Sequence, residues 1–394
     1  MLKKLPYITR PIIILSVVSL CTDMASEMLY PVMPAFLQSI GFSVLFIGIL
    51  EGFAEMIAGL SKGYFGKRSD VLQKRLPFVQ LGYALSAISK PMMAIWATPV
   101  WIFMARTTDR IGKGLRSAPR DAMLSAMTTP AYKARVFGFH RSMDTLGAVF
   151  GPLIALLVLW MYPGQYTILF LIAFIPGLIA VISTFLVSET PGTPRKEKVH
   201  LFSFIGYIKE APVTYKKLLA GLVIFALINS SDVLLLLRMK EQGVEDHTII
   251  TMYIVYNIIF ALTAFPLGIL ADKIGIRNML VIGLLVFAVV YAGFAAEPAT
   301  MFYWLLFGLY GIYAAATEGI AKSWITNISP KKDAGAAVGA YSGLASMAAF
   351  AASTLAGALW AGFGAAVAFG VSATVAIGVA IYLMRVPYRI HADA

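Results

Sequence analysis

Residues 106–152 read RTTDRIGKGLRSAPRDAML (106–124), SAMTTPAYK (125–133) and ARVFGFHRSMDTLGAVFGP (134–152). On a helix at 100° per residue, Arg106, Asp109, Arg110, Lys113, Arg116, Arg120 and Asp121 fall within an arc of roughly 140°. The opposite face carries Ile111, Leu115, Ala118 and Ala122. A solvated surface helix would show the same stripe. The context decides against that reading: apolar WIFMA (101–105) runs into it without a break, and the segments on both sides are of membrane length. Ionisable groups in a bilayer are costly, so they face a bundle interior or a water-filled cavity. The stretch therefore reads as the polar pathway of a helical membrane bundle.

Composition agrees. Of 394 residues, 59% are hydrophobic and 13% charged, and the mean hydropathy is +0.79. A soluble domain carries about 25% charged residues. Twelve spans of about 20 residues with short loops use the whole length. The net charge of +12 would suggest nucleic acid for a soluble protein. Here the basic residues gather at helix ends and loops, where topology explains them, and no nucleic-acid partner is expected. The single cysteine, Cys21, excludes an intramolecular disulfide. The first apolar run holds Asp23 and Glu27 and lacks a small-residue cleavage site, so it reads as a retained span. The four histidines, at 140, 200, 247 and 391, form no metal-ligand spacing, and no Walker loop is present. No metal and no cofactor is expected, and the energy source would be a proton gradient.

The spans fall at about 11–38, 44–65, 77–97, 99–121, 134–161 and 165–187, then at about 216–239, 248–271, 277–295, 299–322, 334–361 and 364–385. The expected organisation is an N-terminal six-helix half (1–188), a linker (189–215) and a C-terminal six-helix half (216–394). The linker is the longest polar segment, with three prolines and a basic cluster, and 201–210 reads as a short interfacial helix. Lysine and arginine mass on one side, for example at Lys67, Lys74, Lys133, Arg195, Lys216, Lys273 and Lys331. That puts both termini and the linker in the cytoplasm of a multi-pass protein of the bacterial inner membrane. The expected fold is all-α, with twelve transmembrane helices in two pseudo-symmetric halves; the expected state is a monomer.

An internal repeat supports the halves. Gly66-Lys-Arg-Ser-Asp70, followed by Lys74 and Arg75, is matched about 200 positions later by Gly268-Ile-Leu-Ala-Asp272, followed by Arg277. Two parallel repeats about a membrane-normal axis are a known transporter plan. With this G-x-x-x-D and its basic tail in both halves, the chain resembles the major facilitator superfamily. The resemblance implies a latch: Asp70, and by repetition Asp272, would accept charge-assisted bonds from basic groups and a helix N-terminus. It also implies alternating access about a site near the midplane.

Two further stretches resemble the proton-coupled antiporters of that superfamily. Gly138, Gly147, Gly151 and Pro152 stand at the antiporters' spacing, although Ala155 and Leu156 replace two usual glycines. Arg106 precedes Gly112 and Gly114 at a spacing about two residues too long, and Arg110 competes with it for the family's proton-transfer role. The run DRIGKGLRSAPRD is similar to a branch related to exporters of small phosphorylated or arsenical organic anions.

Carboxylates complete the expected pathway. Asp23 and Glu27 lie one turn apart, as do Glu51 and Glu55; Asp144, Asp232 and Glu318 stand in later spans. Burial favours a protonated carboxyl and a nearby guanidinium an ionised one, so helix movement would load and release a proton. Asp23 and Glu27 are the first candidates. Static pairs such as Asp109–Arg106 and Asp144–Arg141 are the competing reading. The expected substrate set is Tyr30, Arg106, Asp109, Arg110, Lys113, Arg116, Arg120, Asn229 and Lys322, since guanidinium suits carboxylate and phosphate. The favoured function is proton-coupled export of a small organic compound, anionic ones included. Proton-coupled uptake of an organic anion or metal chelate is the alternative within transporters. A membrane-embedded lipid-modifying enzyme is the alternative outside them; the charged residues are too scattered along the chain for it.

Overall fold

The structure, a computed structural model, describes residues 7–387 apart from 31, 34–35, 38–39, 42–43 and 201–202. Side chains at 44–52, 55–56, 203–205, 233, 246–247 and 250 lie outside the described set. The described residues hold fourteen α-helices and no strand. They are α1 (Arg10–Glu27), α2 (Val44–Leu72), α3 (Leu76–Ile95), α4 (Pro99–Ala126), α5 (Lys133–Met161), α6 (Tyr166–Thr184) and α7 (Ser203–Glu210). Then follow α8 (Val213–Ala226), α9 (Asp232–Glu241), α10 (Asp246–Ile274), α11 (Ile276–Ala295), α12 (Thr300–Asn327), α13 (Ala334–Phe363) and α14 (Ala365–Met384). Prolines begin α1, α3 and α4 at the first or second position, where a missing N–H costs nothing.

With the short linker helix α7 set aside and α8 and α9 taken as one broken span, twelve spans remain. α1–α6 and α8–α14 repeat one plan. In the first set α2 packs on α4, α3 on α4, α3 on α6 and α1 on α6. In the second, α10 packs on α12, α11 on α12, α11 on α14 and α8 on α14. Among the described residues, seven helical segments, from Pro130–Met161 to Ala365–Met384, are long and apolar enough to cross a membrane. The fold is thus that of a multi-pass membrane protein. Leu156, Trp160, Ile175, Ile182, Met301 and Phe350 point outward, where hydrocarbon is their natural surroundings.

Two expected spans are interrupted. The first is not one helix over 11–38: α1 ends at Glu27 and residues 28–30 turn. Residue 31 is proline and has no N–H for the carbonyl four residues back. The span expected at 216–239 breaks over 227–231. The sequence Asn229-Ser230-Ser231-Asp232 lies there, and such side chains compete with the helix for its backbone groups. The Ser231 N–H goes to Ser353 Oγ at 3.1 Å, and Ser230 Oγ lies 3.3 Å from Tyr291 Oη.

The helices gather into two compact units that are not contiguous in sequence. Unit 1 takes residues 1–128, 143–210 and 331–343; unit 2 takes 129–142, 211–330 and 344–394. Each unit therefore includes one helix start from the other end of the sequence. α5 begins in unit 2 and α13 begins in unit 1.

Candidate functional site

In unit 1 the charged stripe of α4 turns inward. Arg106, Asp109, Arg110, Arg116, Arg120 and Asp121 are all buried. A small cavity between α1 and α4 is lined by Asp23, Ser26, Glu27 and Tyr30 on one wall and Arg106, Asp109, Arg110, Lys113 and Arg116 on the other. Behind it stands Lys90 of α3, with its Nζ 2.7 Å from Asp109 Oδ1 and 3.4 Å from Ser26 Oγ. Lys90 is 1% and Asp109 5% exposed. Arg116 donates to Ser86 Oγ and lies 4.7 Å above the Tyr83 ring. Five cations against three carboxylates leave the cavity with surplus positive charge. Farther along α4, Arg120 binds Asp121 at 2.9 Å and donates to Ser19 Oγ at 3.2 Å, while Ser19 donates to Asp144.

Close helix approach places the acidic wall. A Cβ on Gly147 would stand 2.8 Å from Met24 N, and one on Gly151 2.7 Å from Met24 O. These two glycines let α5 lie against α1 at the turn that carries Asp23 and Glu27. Ala155, where a further glycine is usual, is buried, and Leu156 points outward.

Unit 2 is built differently. Asp232, the first residue of α9, accepts a 2.6 Å bond from Tyr310 Oη. Tyr310 stacks between Tyr256 and Tyr313, at centroid distances of 5.1 and 5.3 Å. Arg141, at the start of α5, pairs with Glu318 at 2.6 Å and lies over the Phe260 ring. Asn229 Oδ1 is buried at the helix break, and among the described residues it has no hydrogen-bond partner. Lys322 lies half-buried one turn after Glu318.

The repeated aspartates each hold the start of a helix. Asp70, with no exposed surface, accepts from Ala336 N at 2.7 Å, at the start of α13, and from Arg75 Nη2 at 2.7 Å. A Cβ on Gly335 would stand 2.8 Å from Gly66 O, so two glycines make this approach possible. In unit 2, Asp272 accepts from Arg135 N at 3.2 Å at the start of α5, with Arg135 Nε 2.9 Å away. Gly268 packs on Ala134, and Gly138 on Ala264. Arg277 does not join Asp272; it donates to the Met384 carbonyl at 3.3 Å. Lys74 is exposed.

The linker crosses the Asp70 loop. Glu189 accepts from the N–H groups of Arg75 and Leu76 at 2.7–2.9 Å, which caps α3. Arg195 N donates to Val71 O at 2.8 Å, and the Arg195 guanidinium pairs with Asp333 at 2.7 Å. Lys67 pairs with Glu197 at 2.9 Å.

A family model of the Major Facilitator Superfamily matches residues 15–239 and again 218–393. The chain belongs to the major facilitator superfamily. It is accordingly a membrane transporter and not an enzyme. An uncharacterized MFS-type transporter of Methanocaldococcus jannaschii is 33% identical over 359 residues, covering 90% of this chain and 89% of that one. The multidrug resistance protein MdtH of Cronobacter sakazakii is 28% identical over 119 residues, 30% of this chain and 29% of its own. Among solved structures, the human organic anion transporter MFSD10 superposes with a TM-score of 0.82 at 16% identity, covering 95% of this chain and 99% of that one. Such identity speaks for the fold alone.

For this superfamily member, the expected residues divide between the units. Asp23, Glu27, Tyr30, Arg106, Asp109, Arg110, Lys113 and Arg116 share one cavity. Arg120 and Asp144 lie near it, joined through Ser19. Asn229, Asp232, Glu318 and Lys322 belong to unit 2. Glu51 and Glu55 stand on α2, but their side chains lie outside the described residues. The hydrogen-bonded cation of Asp109 is Lys90, which sequence reasoning passed over because it stands alone in an apolar segment. Arg141 bonds Glu318 on α12. Glu189, Arg195 and Asp333 were missed as well, hidden among ordinary loop charges.

Two measurements probe this geometry. Lys90→Met leaves Asp109 without its ammonium and should cost about 3–5 kcal/mol of stability, whereas Lys90→Met with Asp109→Leu should recover most of it. A double variant as unstable as the sum of the singles would show that the two do not act as a pair. Asp70→Asn, at a fully buried carboxylate, should cost about 3 kcal/mol. Arg195→Ala, in a half-exposed pair, should cost under about 1 kcal/mol. Thermal melting in one detergent orders the two, and the reverse order would contradict the assignment.

Proposed function

We propose that this transporter exports a small organic anion in exchange for protons, from a cytoplasmic membrane of bacterial type. The observation that carries this reading is the surplus of buried cations around the cavity of α1 and α4. Burying Arg106, Arg110, Arg116 and Lys90, with half-buried Lys113 beside them, against three carboxylates is costly without a further negative charge. A carboxylate or phosphate group on the substrate supplies that charge, and the guanidinium forks of Arg106 and Arg110 suit its planar or bidentate recognition. The organic anion named for the MFSD10 structure agrees with this chemistry. The antiporter-like glycines of α5 and the name of the MdtH relatives favour export.

The two aspartate contacts serve this cycle as latches. Asp70 and Asp272 neutralise the positive ends of α13 and α5, and both must let go when the cytoplasmic side opens. The lysine and arginine bias sets the Asp70 loop, the linker and both termini on the cytoplasmic side. A monomer suffices, because one chain holds both units; its partners are the substrate, protons and the lipid bilayer.

Inside-out membrane vesicles test the reading. With the lumen acidified, labelled small carboxylates, phosphate monoesters and phosphonates are offered from outside. At least one should accumulate and leave again when the gradient is collapsed. Arg110→Lys keeps the charge but loses the fork, so its half-saturation concentration for that anion should rise about tenfold. Uptake only into vesicles with an alkaline lumen would mean symport inward, and accumulation indifferent to the gradient would end the proton-coupled reading.

A further inference from the structure

Asp232, half-buried, differs from the other inward-facing acidic groups in what holds it. Asp109 has Lys90, Asp121 has Arg120, Asp70 has Arg75, and Asp272 has Arg135. Asp144 accepts from Ser19 and acts on Arg120. Asp23 and Glu27 face Arg106, Arg110 and Lys113 across the cavity. Asp232 is bonded to a phenol, Tyr310, and to its own backbone N–H, and among the described residues no cation pairs with it. It sits at a break between two helices, the one place in unit 2 where a span expected to be continuous unwinds.

Its surroundings are largely aromatic, and besides Tyr310 the start of α9 supplies a backbone N–H. From α10 come Tyr253 and Tyr256, from α11 Tyr291, and from α12 Tyr310, Tyr313 and Glu318. α13 contributes Ser353, bonded to Ser231. Two cations stand near Glu318: Arg141 of α5, paired with it at 2.6 Å, and half-buried Lys322, one turn further along α12. Glu318 adds negative charge next to Asp232. An ionised carboxylate set among rings, facing a second carboxylate and lacking a cation, is an expensive arrangement. A proton removes the cost. Helix breaks are also where transporters of this architecture hold their coupling ions.

We infer that Asp232, held by Tyr310, is the carboxyl that takes up and releases the coupling proton, while the α1–α4 cavity of unit 1 handles the substrate. This rests on the proton-coupled reading above and departs from the expectation that Asp23 and Glu27 carry the proton. Those two face fixed cations, so their charge balances the cavity and is exchanged against substrate. The proton on Asp232 is matched by no such partner. Movement of Arg141 from Glu318 toward Asp232 would expel it, because a guanidinium near the carboxyl stabilises the ionised form.

Infrared difference spectroscopy of the full chain in liposomes, stepped between alkaline and acidic buffer, tests this without any substrate. The wild type should show a carboxylic C=O band that appears on acidification and belongs to a poorly hydrated site. Asp232→Asn should lose that band, and Asp232→Glu should restore one at a different frequency. Tyr310→Phe, which removes the phenol donor and little else, should shift it. Asp23→Asn with Glu27→Gln should leave it in place. A spectrum unchanged by Asp232→Asn, or the same band lost in the Asp23 and Glu27 variant, would overturn the assignment. Since the readout is protonation and not flux, failure here leaves the vesicle experiment standing, and failure of the vesicle experiment does not alter this band.

Discussion

Charge inside an apolar bundle must be answered by opposite charge, and this constraint organises the molecule. α4 carries more ionised side chains than a lipid-facing helix could hold, so its charged face turns inward, with α2 and α3 packed on the helix. The deepest of these pairs, Lys90–Asp109, has almost no exposed surface on either side. Such a pair contributes little net stability compared with an apolar substitute, yet it is costly to break. Its effect is to fix which face of α4 turns inward, and that face aims Arg106 and Arg110 at the cavity.

Much of this was legible in the sequence. The number of spans, the two halves, the repeated aspartate loops and the family followed from hydropathy, charge bias and two spaced motifs. The inward stripe of α4 followed from seven charged residues on one arc beside apolar flanks. What could not be read were partners. Sequence neighbours suggested Asp109–Arg106 and Asp144–Arg141, three residues apart on one helix. In the structure Asp109 still feels Arg106 and gains a hydrogen-bonded ammonium, Lys90, from the preceding helix, while Arg141 reaches Glu318, far along the chain. A helix surface offers contacts three and four residues away, and packing adds long-range partners that the sequence does not place. The break at 227–231 was missed for a related reason. Its apolar flanks mask a short polar run that meets side chains from α11 and α13.

The two halves share a plan and divide the chemistry. α4 is charged where its counterpart α12 is aromatic. The aspartate loop of each repeat holds a helix start, yet one uses its own downstream arginine and the other borrows Arg135 from the helix it caps. Pseudo-symmetry keeps the packing, while the side chains differ: a cation-rich cavity lining in one unit and a carboxyl among phenols in the other.

The central claim is that the cations of α4 hold a small anion. Native mass spectrometry of the chain, released gently from membranes of its expression host or after incubation with a cell extract, reads this directly. Our account predicts one bound anionic species below about 1 kDa, a mass bounded by the usual size of small-molecule sites, retained by the wild type and lost from Arg110→Gln with Arg106→Gln. A bound species of net positive charge, or an anion retained equally by that double variant, would contradict it.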